Sequence, residues 1–159
     1  PATVCLAVPL YEQLELLKKN KVAVVCGILS GTLASLTGIF VLCMLFGFNH
    51  QQYVTMLPKS ITTAIGIGIS EELGGIVTIT VAVIIITGIL GNVIADTVFH
   101  IFKIKNPLAK GLALGTASHA IGTARAIEMG PVEGAMSSLA VAVAGLLTVV
   151  FVSGFAQLI

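Results

Sequence analysis

Tryptophan does not occur in this chain of 159 residues, and charge is scarce: Asp, Glu, Lys and Arg together make up 9% of it. A soluble domain carries about 25% charged residues, because its surface must stay hydrated. A chain so poor in charge, with 57% hydrophobic residues and a mean hydropathy of +1.09, is neither a disordered segment nor an ordinary soluble enzyme. Its net charge of +1 gives no sign of a polyanionic partner, so no nucleic acid is expected. Aromatic residues at 6% leave little for an interfacial belt. Cysteine is limited to Cys5, Cys26 and Cys43, each inside an apolar run and none at CxxC spacing. They read as core-packing side chains, not as metal or redox ligands. No basic head precedes the first apolar stretch, so no secretory signal is visible. Pro1–Leu10 is too short to span a bilayer, and the chain reads as the continuation of a longer protein.

What remains is apolar sequence in long pieces. Residues 22–47 run for 26 positions without a charge, 73–95 for 23 and 134–159 for 26. At ~1.5 Å per residue the longest reach ~39 Å, enough to cross a ~30 Å hydrocarbon layer with some tilt. Only a helix satisfies its own backbone there. The fold class is therefore an all-α polytopic membrane protein, taken as a single domain over 1–159. Small residues such as Gly27, Gly31, Gly88, Gly91 and Gly145 suit close helix contact. Between the spans lie two segments too polar and glycine-rich for lipid: His50–Gly75, interrupted at Pro58-Lys59-Ser60, and Pro107–Met129, interrupted around Gly115–His119. These read as broken or re-entrant elements of the inverted-repeat, transporter-like kind.

Charge placement suggests a topology. Lys18, Lys19 and Lys21 put the start of the first span in the cytoplasm. A re-entrant hairpin over 50–75 then places Lys103, Lys105 and Lys110 on the same side, whereas a full crossing would leave them outside. On this reading 107–129 runs outward, the last span returns inward, and Pro1–Leu17 runs inward against 107–129. A faint repeat at an offset of 56 sets Ile61–Gly66 against Ala117–Gly122. It makes both copies half-helices that climb outward from the midplane.

A half-helix beginning inside the membrane turns its N-terminal N–H groups, about half a positive charge, into the bundle, where a carboxylate binds well. One such end carries Lys59, Ser60, Thr62 and Thr63; the other carries Ser118, His119 and Thr123. Lys59 is the sharpest candidate, since an ammonium at bilayer depth costs ~2.5–3.5 kcal/mol on the insertion scale. The alternative is a lysine that snorkels to the interface, or one in a loop of a fully crossing segment. His119 reads equally as a proton carrier or anion donor and as a packed histidine bonded to a carbonyl. Arg125 and Glu128, three apart on one helix face, read as a structural ion pair or as a carboxylate clamp with its counter-ion. Glu71, Glu72, His50 and an Asp96–His100 helix-end pair read as interfacial. Gly66-x-Gly68 lacks the context of a nucleotide loop, and no Ser-His-Asp or HExxH pattern exists, so an enzyme is not expected.

PATVCLAVPLYEQ (1–13), LPKSITT (57–63) and GLALGTASHAIGTARAIE (111–128) closely resemble the LrgB/CidB family of bacterial membrane proteins. The resemblance covers the whole chain, which would form roughly the C-terminal two-thirds of such a protein. It implies an antiholin-like protein of the bacterial inner membrane, acting beside a holin-like LrgA/CidA-type partner on murein hydrolase activity and lysis. It also implies kinship with a plastid glycolate/glycerate carrier and with pyruvate uptake, on crossed broken helices like those of bile-acid symporters and cation/proton antiporters. Pro58, Lys59, Ser60, Thr62, Thr63, Ser118, His119, Thr123 and Arg125 occupy its signature positions. Ala64 departs from the family's frequent proline, which loosens the helix start. The expected function is a secondary carrier, or carrier subunit, for small monocarboxylates, coupled to a proton or sodium ion and with no other cofactor. The alternative is the antiholin-like regulator. The expected partners are a small carboxylate, the holin-like protein, the bilayer and a second copy of the chain.

Overall fold

The computed structural model describes residues 11–159, and all its regular structure there is helical. Seven helices are present among the described residues: α1 Leu14–Lys19, α2 Lys21–Phe46, α3 His50–Met56, α4 Thr63–Glu72, α5 Val77–Ile101, α6 Pro107–Met129 and α7 Pro131–Ala156. The helices α2, α5 and α7 are long and apolar enough to cross a membrane. They carry exposed apolar side chains such as Val41, Leu45, Ile86, Leu90, Val93, Leu146 and Val150, the faces that lipid covers. The middle span starts and ends later than its charge-free run, because Gly74, at φ 75°, holds the preceding turn, and because Asp96 and His100 continue the helix instead of ending it. Cys43 sits in the core as expected, but Cys26 is exposed on the apolar surface of α2; Cys5, like the expectation for the chain's first ten residues, lies outside the described residues.

Residues 50–75 form the expected re-entrant hairpin. A capping box, Asn49 with Gln52, starts α3. The chain turns at 57–62 and returns as α4. Both limbs end at one level, since Gln51 Nε2 donates to Gly74 O at 3.3 Å. The base is tied to α5: Ile76 N donates to Thr55 Oγ1 at 2.9 Å, and Thr80 Oγ1 to Thr55 O at 2.9 Å. The tip is deep, because Ser35 Oγ, fifteenth of the 26 residues of α2, donates to Ser60 Oγ at 3.0 Å.

The segment 107–129 is a second hairpin, which corrects the expected outward run. The break falls at His119 (φ 44°, ψ −140°), the last residue of the expected Gly115–His119 interruption; Gly115 itself is helical and packs on α7. Before His119, α6 runs antiparallel to α5: Lys110 lies over the Phe99 ring, and Ser118 lies against Gly91. After it the two run parallel, with Asn92 bonded to Ile121 O and Asp96 paired with Arg125. The two limbs touch, since a Cβ on Gly122 would lie 2.9 Å from Leu114 O. The chain therefore returns to the face it entered from, and α7 runs outward, parallel to α2. Ala135 and Met136 pack near Val24 and Ile28, while Val152 and Ala156 pack near Ile39 and Cys43. The 56-residue repeat is thus real in form but inverted in direction: hairpin and helix enter first from one face, then from the other.

This arrangement gathers cations at one end. Of the eight Lys and Arg residues, Lys18, Lys19, Lys21, Lys103, Lys105, Lys110 and Arg125 lie there, leaving only Lys59 at mid-depth. The positive-inside rule makes that end cytoplasmic. In a cysteine-free background, cysteines placed at Glu128 and Lys105 should react with an impermeant maleimide from the same side of the membrane, and one at Glu72 from the other. Labelling of Glu128 together with Glu72 would restore the single outward crossing.

Candidate functional site

The two hairpin tips meet in the middle of the bundle. The first is built on Pro58, which is buried, followed by Lys59 and Ser60 before α4 starts at Thr63. Lys59 Nζ donates to Ser60 Oγ at 2.8 Å, and Ser60 is held in turn by Ser35. Thr62 occupies the N-cap position of α4 with extended backbone (φ −65°, ψ 144°), but its side chain does not cap the helix. The first N–H groups of α4 thus have no side-chain cap. Thr62 and Thr63 are half-buried.

Lys59 and Ser60 close the deep end of a groove of about 800 Å³ between α2 and α6. Its walls are small or weakly polar: Gly27, Ser30, Gly31 and Ser35 on one side, Thr116 and Ala117 on the other. It descends to Ala23, Asn106 and Leu108, at the end where the lysines gather. Among the described residues, Lys59 is the only charged side chain along it. An anion entering from the basic end would meet a lone ammonium with hydroxyls on both sides, in a setting with little water to screen them.

The second tip is held by its neighbours. His119 Nε2–H donates to Ile84 O at 2.9 Å, and its ring fills the space over Gly88, where a Cβ would lie 2.8 Å from Cε1. That bond and contact hold a non-glycine residue at positive φ, a conformation costing about 1–3 kcal/mol. Thr123 Oγ1 donates to His119 O at 3.0 Å and shares a bond with Ser137 Oγ at 2.8 Å, tying the return limb to α7. Ser118 is buried against Gly91. Of the two readings of His119, the geometry is that of the packed, carbonyl-bonded one.

The structure therefore brings Lys59 and Ser60 into one groove. It gathers Ser118, His119 and Thr123 into a second cluster on the α5 and α7 side of the same tip. Arg125 stands apart near the cytoplasmic end, its Nη1 on Glu128 Oε2 at 2.6 Å and its Nη2 on Asp96. Asp96 thus pairs with Arg125 and not with His100. Sequence reasoning passed over Ser35 and Thr116, whose hydroxyls face the hairpin tip. Their only signal was membership of a small-residue stripe on α2 and of a polar run in α6.

Comparison with known proteins bears on this geometry. The family model described as LrgB-like family matches residues 1–158. The antiholin-like protein LrgB of Bacillus subtilis (strain 168) is 41% identical over 159 residues, covering 100% of this chain and 69% of that protein. The antiholin-like protein LrgB of Bacillus cereus (strain B4264) is 42% identical over 155 residues, 98% of this chain and 67% of its own length. A Bacillus anthracis relative of the same name (strain CDC 684 / NRRL 3495) is likewise 42% identical. No solved structure matches the chain.

Proposed function

The chain belongs to the LrgB-like family, and from that premise we propose that it acts as an antiholin-like protein of the bacterial membrane. In this role it restrains a holin-like LrgA/CidA-type partner and, through it, murein hydrolase activity. The name antiholin-like protein LrgB, shared by relatives at 41% and 42% identity, supports this reading most directly. The broad apolar faces of α2, α5 and α7 supply surface on which another membrane helix can pack. The test is detergent-triggered autolysis in cells producing the holin-like partner alone or together with the full-length protein. Co-production is expected to slow lysis clearly; equal lysis curves would overturn the reading.

A second reading, a secondary carrier for small monocarboxylates such as pyruvate, glycolate or glycerate, is favoured by one observation. Lys59 is a lone ammonium at mid-depth, at the closed end of a groove that leads to the basic face. Opposed hairpins that meet tip to tip are the arrangement through which alternating access operates. In this reading Lys59 and Ser60 take the substrate carboxylate, and a proton or sodium ion accompanies it. The two readings are compatible if lysis control responds to carboxylate occupancy.

A further inference from the structure

Behind the Lys59 tip lies a small cavity that adjoins the groove through Ser35, Ser60 and Thr116. Hydroxyls line it from four elements: Thr32 and Ser35 of α2, Ser60 of the first hairpin, Thr116 of α6 and Thr148 of α7. It offers about 10 Å³ to the centre of a water-sized sphere. One water needs roughly that much room, together with two to four polar partners.

The hydroxyl protons can be counted. Thr116 Oγ1 donates to Leu112 O at 2.8 Å, and Thr148 Oγ1 to Ala144 O at 2.7 Å, so both turn only lone pairs to other partners. Ser60 Oγ accepts from Lys59 Nζ and from Ser35 Oγ, which leaves its own proton uncommitted. Thr32 is 2% exposed, and among the described residues its Oγ1 is the buried side-chain polar atom that makes no hydrogen bond. The cavity thus combines two free donors, on Thr32 and Ser60, with free acceptors on Thr116 and Thr148. That is the complement of a single water molecule. A sodium ion suits it poorly, because no carboxylate lines it and the Lys59 ammonium is one hydroxyl away.

We infer that this cavity binds one ordered water, which accepts from Thr32 and Ser60, donates to Thr116 and Thr148, and clamps the hairpin tip carrying Lys59 to α2, α6 and α7. The water makes the tip's position depend on Thr32 and Thr148, hydroxyls that do not line the groove. The experiment is thermal unfolding of the full-length protein in micelles. Thr32→Val keeps the side-chain shape and removes the hydroxyl. It is expected to lower the midpoint by about 2–4 °C, the size of one lost hydrogen-bonding partner in a protein of this length. Thr32→Ser should match wild type, and Thr32→Val/Thr148→Val should lose less than the sum of its parts, because both remove the same water. A midpoint that rises in Thr32→Val marks a dry cavity relieved of an unpaired hydroxyl, and overturns the inference. A loss in Thr32→Ser with none in Thr32→Val would mark a role for the methyl alone, and also overturn it. So would a midpoint that climbs when sodium replaces potassium at constant ionic strength and no longer does so in Thr32→Val, which would mark a cation in the cavity. Should the valine variants not fold, a density map decides: a peak within hydrogen-bond distance of Thr32 Oγ1 supports the water, and its absence sinks it.

Discussion

Replacing Lys59 with methionine is expected to abolish accumulation of labelled pyruvate or glycolate in proteoliposomes holding the full-length protein and its partner, while the protein stays folded. The side chain ends at the closed end of the groove, and its ammonium is the one formal charge there. Losing a charge-assisted hydrogen bond to a carboxylate costs about 1.5–3 kcal/mol, on the order of 10- to 100-fold in affinity. Stability should move the other way or hold. An ammonium at bilayer depth costs ~2.5–3.5 kcal/mol on the insertion scale, offset here by one bond to Ser60, and methionine fills the same space without that cost. Lost uptake with an unchanged or raised unfolding midpoint therefore marks a binding lysine. A midpoint that collapses along with uptake marks a structural one. Wild-type vesicles that accumulate no acid above empty ones remove the carrier reading while leaving the antiholin-like reading to its own lysis test.

The largest loss of stability is expected from Gly115→Val. The entry limb of the second hairpin lies almost backbone to backbone on α7. A Cβ at Gly115 would sit 2.4 Å from Ser137 O and 2.7 Å from the Ala140 Cβ. Neither atom can rotate away, so the helices must part, at about 3 kcal/mol, the upper end of ordinary overpacking. In a protein of this size that is roughly 6–12 °C in the unfolding midpoint. Gly38→Val is the matched control, since nothing lies within 4 Å of its added Cβ, and it should cost far less. Equal losses at the two positions would show that glycine's backbone freedom, and not close approach, is what matters at Gly115.

Much of this architecture was legible before any coordinates. The three spans follow from runs without charge, and the first hairpin follows from Pro58-Lys59-Ser60 with the lysines on either side. The second hairpin was half legible. Its polar character and its match to the first were visible, but the direction of its return was not. The reversal is made by His119, an L-residue at positive φ, held there by a carbonyl of α5 and by the space over Gly88. No local preference of histidine announces such a turn. Gly115 and Gly122 looked alike in sequence, yet one serves helix contact and the other the contact between hairpin limbs. One charge did carry the answer: Arg125 belongs with the lysines by the same rule that placed them, and only a returning limb puts it there. Of the site, Lys59 stood out because charge inside an apolar stretch is conspicuous. Thr32 and Thr148 did not, since a threonine that completes a buried hydroxyl cluster is indistinguishable in sequence from one that bonds its own helix.

The gathering of six lysines at the cytoplasmic end, where the groove opens, has a kinetic consequence. It forms a collar of positive potential that enriches anions at the cytoplasmic rim before any of them reaches the lone ammonium inside. Over a Debye length of about 8 Å at physiological ionic strength that enrichment fades. Capture from this side should therefore slow as salt rises, while the hold at Lys59, screened by helices instead of ions, changes little. On the carrier reading, anions would be drawn in by the rim and kept by the interior, two steps that answer to different parts of the chain.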